Sequence, residues 1–244
     1  MESQRFDLRL DEWGIPLMEV RQYQDALSVA THGKIVVVTA PDGKSLSKPF
    51  LRIQETYEGR KYKGIQVSMN RFKKWYKSRH QDTAFTYYKD WLGFNFPGQA
   101  VVNFLNIYKA NTNDAEKVLI AKLDFSKLEQ QYVIGILQGD SETLLHEMCH
   151  ALFYLDSDYR AQVLNYLNKM QYLDELKEIF SKTDYHNSVW LDEIHAHLIS
   201  GIADIEVKGK RAVTDIEKFD QIVADLKKIF NEHVQKYPEI VALI

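Results

Sequence analysis

The run His146-Glu147-Met148-Cys149-His150 sets two histidines four residues apart with a glutamate beside the first. On a helix that offset brings both imidazoles onto one face, about one turn apart. Two nitrogen ligands at this spacing suit a tetrahedral zinc ion. Glu147 stands where a carboxylate can take a proton from a water activated by the metal. Around the run, Leu144, Leu145, Met148, Ala151, Leu152 and Leu155 supply apolar faces, so residues 142–155 read as a buried helix. Asp140 or Ser141 can cap its start, and Glu142 suits the positive end of the helix dipole. Unpaired polar groups are costly inside a protein, so a buried helix with this triplet needs a reason for it. The plain alternative is a pair of hydrogen-bonded core histidines.

Working outward, the chain has 244 residues, 45% of them hydrophobic, which allows one large domain or two small ones with a real core. A formal net charge of −3 gives no global attraction to nucleic acid. The single cysteine, Cys149, cannot form an internal disulfide, so nothing suggests an oxidising compartment. The first residues lack the apolar core of a signal peptide, and no apolar run reaches membrane-spanning length. The expectation is a cytoplasmic protein with no membrane association; signal-less export would look the same. The sequence carries no sign of oligomeric state.

Strand and helix signals fall on either side of the motif. A helix is expected around 17–30, a strand at Lys34–Thr39, a turn at Pro41-Asp42-Gly43 and another strand at 51–57. Val118–Leu123 and Tyr132–Leu137 read as strands, each a short apolar run bounded by polar residues. After the motif helix the pattern is helical at 157–169, 172–182, 188–201 and 214–235. The last of these spaces Ile216, Phe219, Ile222, Val223, Leu226, Ile229 and Phe230 along one face. The fold class that follows is α+β, a small sheet packed on the motif helix and a mainly helical C-terminal part. The division expected is an N-terminal α+β region, 1–110, and a metal-binding catalytic domain, 111–244.

His-Glu-x-x-His on a helix preceded by strands resembles the zincin metallopeptidases. The resemblance is local, about a third of the chain, and leaves the first hundred residues unmatched. It implies a metal site between a sheet-bearing part and a helical part. Zincin subfamilies differ in the third ligand. The metzincin pattern needs Gly at 153 and His at 156, where this chain has Phe153 and Asp156. On a continuous helix position 156 lies about 240° round from position 150, off the ligand face. Peptide deformylases carry a similar motif but use an upstream cysteine, and Cys149 lies inside the motif. The gluzincin pattern, often Trp-Leu-Asn-Glu-x-x-Ala on a later helix, is similar to Trp190-Leu191-Asp192-Glu193-Ile194-His195-Ala196. That resemblance makes Glu193 the third zinc ligand after His146 and His150, across a longer gap than is usual. His197, Asp192 and His195 are competing ligands. The position four past the glutamate, which holds an orienting aspartate in thermolysin-like enzymes, is His197 here, so the groups behind the ligands must differ.

The implied activity is a zinc-dependent metalloprotease with Glu147 as general base and a peptide or protein substrate. Such sites often add a Tyr or His donor for the oxyanion, and Tyr185 and His186 stand where gluzincins often place one. Tyr132–Leu137 precedes the motif helix as the zincin edge strand does, and would bind an extended peptide. Two other readings remain. One is a catalytically inactive zincin-fold module that keeps its zinc. The other is a binder of single-stranded nucleic acid or an acidic partner. It would use Arg60, Lys61, Lys63, Arg71, Lys73, Lys74, Lys77 and Arg79, interleaved with Tyr62, Phe72, Trp75 and Tyr76. The bland version of that stretch is an amphipathic helix with its aromatics turned inward.

Overall fold

The computed structural model describes residues 26–80, 84–108, 111–201, 206–207, 210–211, 219–241 and 243. Strands β1 (Ser28–His32) and β2 (Ile35–Ala40) form a hairpin closed by Gly33-Lys34, with Gly33 at φ 58° as so tight a turn requires. Most of the helix expected around 17–30 lies outside the described residues, and its last part is β1. The strand expected at Lys34–Thr39 is β2.

Helix α1 (Gly43–Tyr57) replaces the strand expected at 51–57. The density of Leu51, Ile53, Thr56 and Tyr57 favoured a strand locally. Asp42 decides otherwise, because its side chain accepts from the amides of Lys44 and Ser45 and starts a helix. Leu46, Phe50 and Ile53, at helical spacing, then face the sheet fully buried. Next come α2 (Met69–His80), α3 (Tyr87–Asp90), β3 (Gly93–Pro97) and α4 (Gly98–Tyr108). The strand expected at Val118–Leu123 is instead most of α5 (Asp114–Lys122). Asn113 and Glu116 close a reciprocal capping box there that outweighs the β-branched run.

Strand β4 (Tyr132–Leu137) and the motif helix α6 (Ser141–Leu155) follow, the latter capped by Asp140 through Thr143 N at 3.0 Å. Helices α7 (Ser157–Leu167), α8 (Leu173–Phe180), α9 (Trp190–Ser200), α10 (Asp220–Val234) and α11 (Pro238–Val241) complete the helical part. Two residues each from β5 (Glu206–Val207) and β6 (Lys210–Arg211) pair between α9 and α10. Of the C-terminal apolar face, Phe219, Ile222, Leu226 and Phe230 are buried; Ile216 lies outside the described residues.

The main sheet has the order β1-β2-β4-β3, with β2 and β4 parallel and the outer pairs antiparallel. Strands β1–β3 precede residue 110 and β4 follows it. Alternation divides the side chains between two cores. Val36, Val38, Phe94, Phe96 and Val133 pack with α1, α4 and α5 on one face. The Phe50 ring lies against Gly135, where any Cβ would come within 2.6 Å of it. Ile35, Val37, Tyr132, Ile134 and Ile136 pack with α6 to α10 on the other face. Among the described residues no helix is long and apolar enough to cross a membrane.

Candidate metal centre

The α6 register brings His146 and His150 to one face, with their Nε2 atoms 3.1 Å apart. Helix α9 packs on that face and presents Glu193. Its Oε2 lies 3.8 Å from His146 Nε2 and its Oε1 lies 3.7 Å from His150 Nε2. A tetrahedral ion with bonds of about 2.0–2.1 Å separates its ligand atoms by roughly 3.3 Å. The three observed edges straddle that value. This is the group among the described residues that could hold a metal ion.

The outward nitrogens also have fixed surroundings. His146 Nδ1 is 3.0 Å from Ser200 Oγ, and His150 Nδ1 is 2.9 Å from Asp192 Oδ1. Ser200 Oγ accepts from His146 Nδ1, while Asp192 Oδ1 faces His150 Nδ1 without a well-aligned hydrogen bond; both neighbours favour the Nε2 lone pairs at the gap. Two lone pairs and a carboxylate at these separations require a cation between them, either a proton or a metal ion. Burial and the neighbouring His150 and His195 hold His146 well below its ordinary value, hence neutral. Burial also disfavours a charge on His150, but Asp192 and Glu193 outweigh it and raise its proton affinity well above the ordinary value.

Orphaned polar atoms test the fit of a metal. Ten buried side-chain polar atoms have no well-formed hydrogen bond among the described residues, and five of them are His150 Nδ1, Asp192 Oδ1, Glu193 Oε2 and both ring nitrogens of His195. Native interiors pair nearly all such atoms. Of these, Glu193 Oε2 belongs to the ligand group, and a bound ion would supply the partner it lacks; the others lie behind the ligands, at His150 Nδ1, Asp192 and His195.

Glu147 lies beside the cluster and points toward β3. Its Oε2 accepts from Asn95 Nδ2 at 2.7 Å, and Asn95 Oδ1 accepts in turn from the Tyr132 hydroxyl. A Cβ at Gly93 would meet Glu147 Oε1 at 2.0 Å, so any larger residue there would push the carboxylate aside. Burial, opposed by His150 and Asn95, raises the Glu147 carboxyl to about 7. The strand expected to form the free edge, Tyr132–Leu137, is an interior strand: β3 pairs with its outer side and forms the edge nearest Glu147.

Tyr185 is half-buried, with its hydroxyl's pKa raised by burial and then by the nearby Glu193, and its ring edge-on to Trp91 at 5.5 Å. His186 sits apart from the cluster. Its Nδ1 accepts from Ser188 N at 3.2 Å, which caps the turn before α9. His197 packs its ring on His146 at 4.5 Å without joining the ligand group, and His195 is buried against Phe153 and Tyr159. Cys149 is core packing. Asp156 ends α6, caps α7 and pairs with His233 Nδ1 at 2.8 Å, away from the ligands.

The sequence reading missed Asn95, Ser200 and Glu58. Glu58 is buried at the end of α1, accepts from Gln54 Nε2, and is held well above its ordinary value first by burial and then by Glu193. Its carbonyl accepts from His186 N at 3.1 Å, and Gly59 bridges Tyr185. Several cations of the basic stretch brace the segment that carries Tyr185. Arg60 donates to the carbonyls of Ser181 and Thr183, Lys63 to Ser188 Oγ, and Arg79 to Asp184. Tyr62, Phe72 and Tyr76 are buried.

Glu55, one turn before Glu58, is raised to about 8 by burial, with Asp184 adding to it. A carboxyl whose folded value exceeds its ordinary 4.5 favours the folded state fully only below that pH. The contribution is lost as pH rises through about 8. Urea unfolding at pH 5 and pH 8.5 should show the wild type losing on the order of 3–4 kcal/mol more than Glu55→Gln. Equal losses would contradict this origin.

Compared with known proteins, the chain matches no family model, no curated protein and no solved structure. The site therefore stands on its geometry.

Proposed function

We propose that this protein is a zinc metallopeptidase of gluzincin type, with a zincin-like arrangement of sheet and helices about His146, His150 and Glu193. The observation that carries the reading is the convergence of these three ligands with Glu147 beside them, its carboxylate held by Asn95 at 2.7 Å. When bound, zinc supplies Lewis acidity, lowering the pKa of a water toward neutrality and polarising a carbonyl.

The chain's own groups do the rest. Asn95 holds Glu147 Oε2, which leaves Oε1 to accept the proton of the attacking water. Having accepted that proton, Glu147 can pass it to the leaving amine. The Tyr185 hydroxyl, at Glu193, is a donor for negative charge developing on the carbonyl oxygen.

The test is digestion of a peptide library by zinc-loaded and chelator-treated protein. Cleavage is expected only with zinc. Zinc bound at one per chain with no cleavage of any peptide would reject the peptidase reading and leave a structural metal site.

A further inference from the structure

We infer that Ser200 is the positioning residue of His146, holding its Nδ1 as the proton-bearing nitrogen so that Nε2 faces the metal. The inference rests on the metal-site reading and adds to it a group that no motif marks. Ser200 lies seven residues after Glu193, two turns along α9 on nearly the same face. Ala196 between them is fully buried and small, which lets α9 approach α6. The position one turn past Glu193, His197, packs its ring on His146 and brings its Nε2 to 3.8 Å from Glu193 Oε2, without reaching His146 Nδ1. The neighbour of His146 Nδ1 is Ser200 Oγ, at 3.0 Å.

A serine hydroxyl has a single proton, and here it is committed. Ser200 Oγ donates to the Ala196 carbonyl at 2.8 Å, the bond a helical serine makes one turn back. Oγ can then only accept from His146, so the shared proton sits on Nδ1. Ser200 is also the last residue of α9: Gly201, at φ 130°, ends the helix and its amide closes on the His197 carbonyl at 2.9 Å. The helix end thus fixes where the hydroxyl stands. His150 is held differently, by the Asp192 carboxylate at 2.9 Å. The two ligands are therefore oriented unequally, one by a neutral hydroxyl and one by an anion.

Groups of this kind contribute about 10–100-fold to metal affinity. Chelator competition should show Ser200→Ala binding zinc about tenfold more weakly. Ser200→Thr, which keeps the hydroxyl, should lie within about threefold of wild type. Long-range proton–nitrogen correlation spectra of the zinc-free protein give a second readout that packing alone would not move. They should place the His146 proton on Nδ1 in wild type and Ser200→Thr, and shift it at least partly to Nε2 in Ser200→Ala. Unchanged zinc affinity with an unchanged His146 tautomer in folded Ser200→Ala would overturn the inference. If wild type binds no zinc, the metal reading fails by itself, and the tautomer measurement still decides the role of Ser200.

Discussion

Glu147→Gln is expected to reduce zinc-dependent peptide cleavage by about 10³-fold while leaving zinc bound. Loss of a positioned general base typically removes about 10²–10⁴ of rate. Glutamine is isosteric at this position. Its amide oxygen can accept from Asn95 Nδ2 as the Glu147 Oε2 does at 2.7 Å, and its amide nitrogen lies against Gly93 in place of Oε1. The side chain stays in place but cannot take a proton. His146, His150 and Glu193 are untouched, so metal content stays near wild type. Stability should change little or rise, because a buried carboxyl whose ionisation burial opposes is replaced by a neutral amide. Comparison of kcat/KM for the two proteins on any library-derived peptide checks this. Activity within tenfold of wild type would remove Glu147 from the chemistry.

The second large effect is on stability. Zinc at about a thousandfold over its Kd should stabilise the protein by about 4 kcal/mol through binding to the folded state alone. For a chain of this length that corresponds to a rise in Tm of roughly 8–16 °C. The physical source is local. Without the ion, Glu193 faces the two histidines across the gap with Asp192 behind His150, and the raised proton affinity of His150 offsets part of their charge. Zinc displaces that proton, so its affinity falls as pH falls, and the stabilisation shrinks with it. Glu193→Ala removes the third ligand and should lose most of the Tm shift, which differential scanning calorimetry with and without zinc measures directly. A full shift in Glu193→Ala would mean that zinc binds elsewhere.

What the sequence revealed of this site was its helical part. The His146 and His150 offset, the Asp140 cap and the Glu193 run each depend on spacing within one helix, and each is where spacing puts it. Asp156 and Cys149 dropped out by the same reasoning. Local composition misled where caps overruled it: α1 and α5 carry strand-like runs but begin at Asp42 and at the Asn113–Glu116 box. The position of β4 was misjudged because β3, inside an aromatic-rich stretch, gave no clear alternation. Its pairing with β4 is long-range. Asn95, Ser200 and Glu58 are single polar residues whose roles exist only through tertiary contact, with Glu147, His146 and the Tyr185 segment respectively. No local pattern could have marked them.

Metal analysis of four purified proteins tests the central claim most directly: wild type, His146→Ala, Glu147→Gln and Glu193→Ala, each exposed to zinc and then desalted. The account predicts near one zinc per chain in wild type and Glu147→Gln, and a large loss in both His146→Ala and Glu193→Ala. A wild type without zinc, or Glu193→Ala with its full complement, would contradict it.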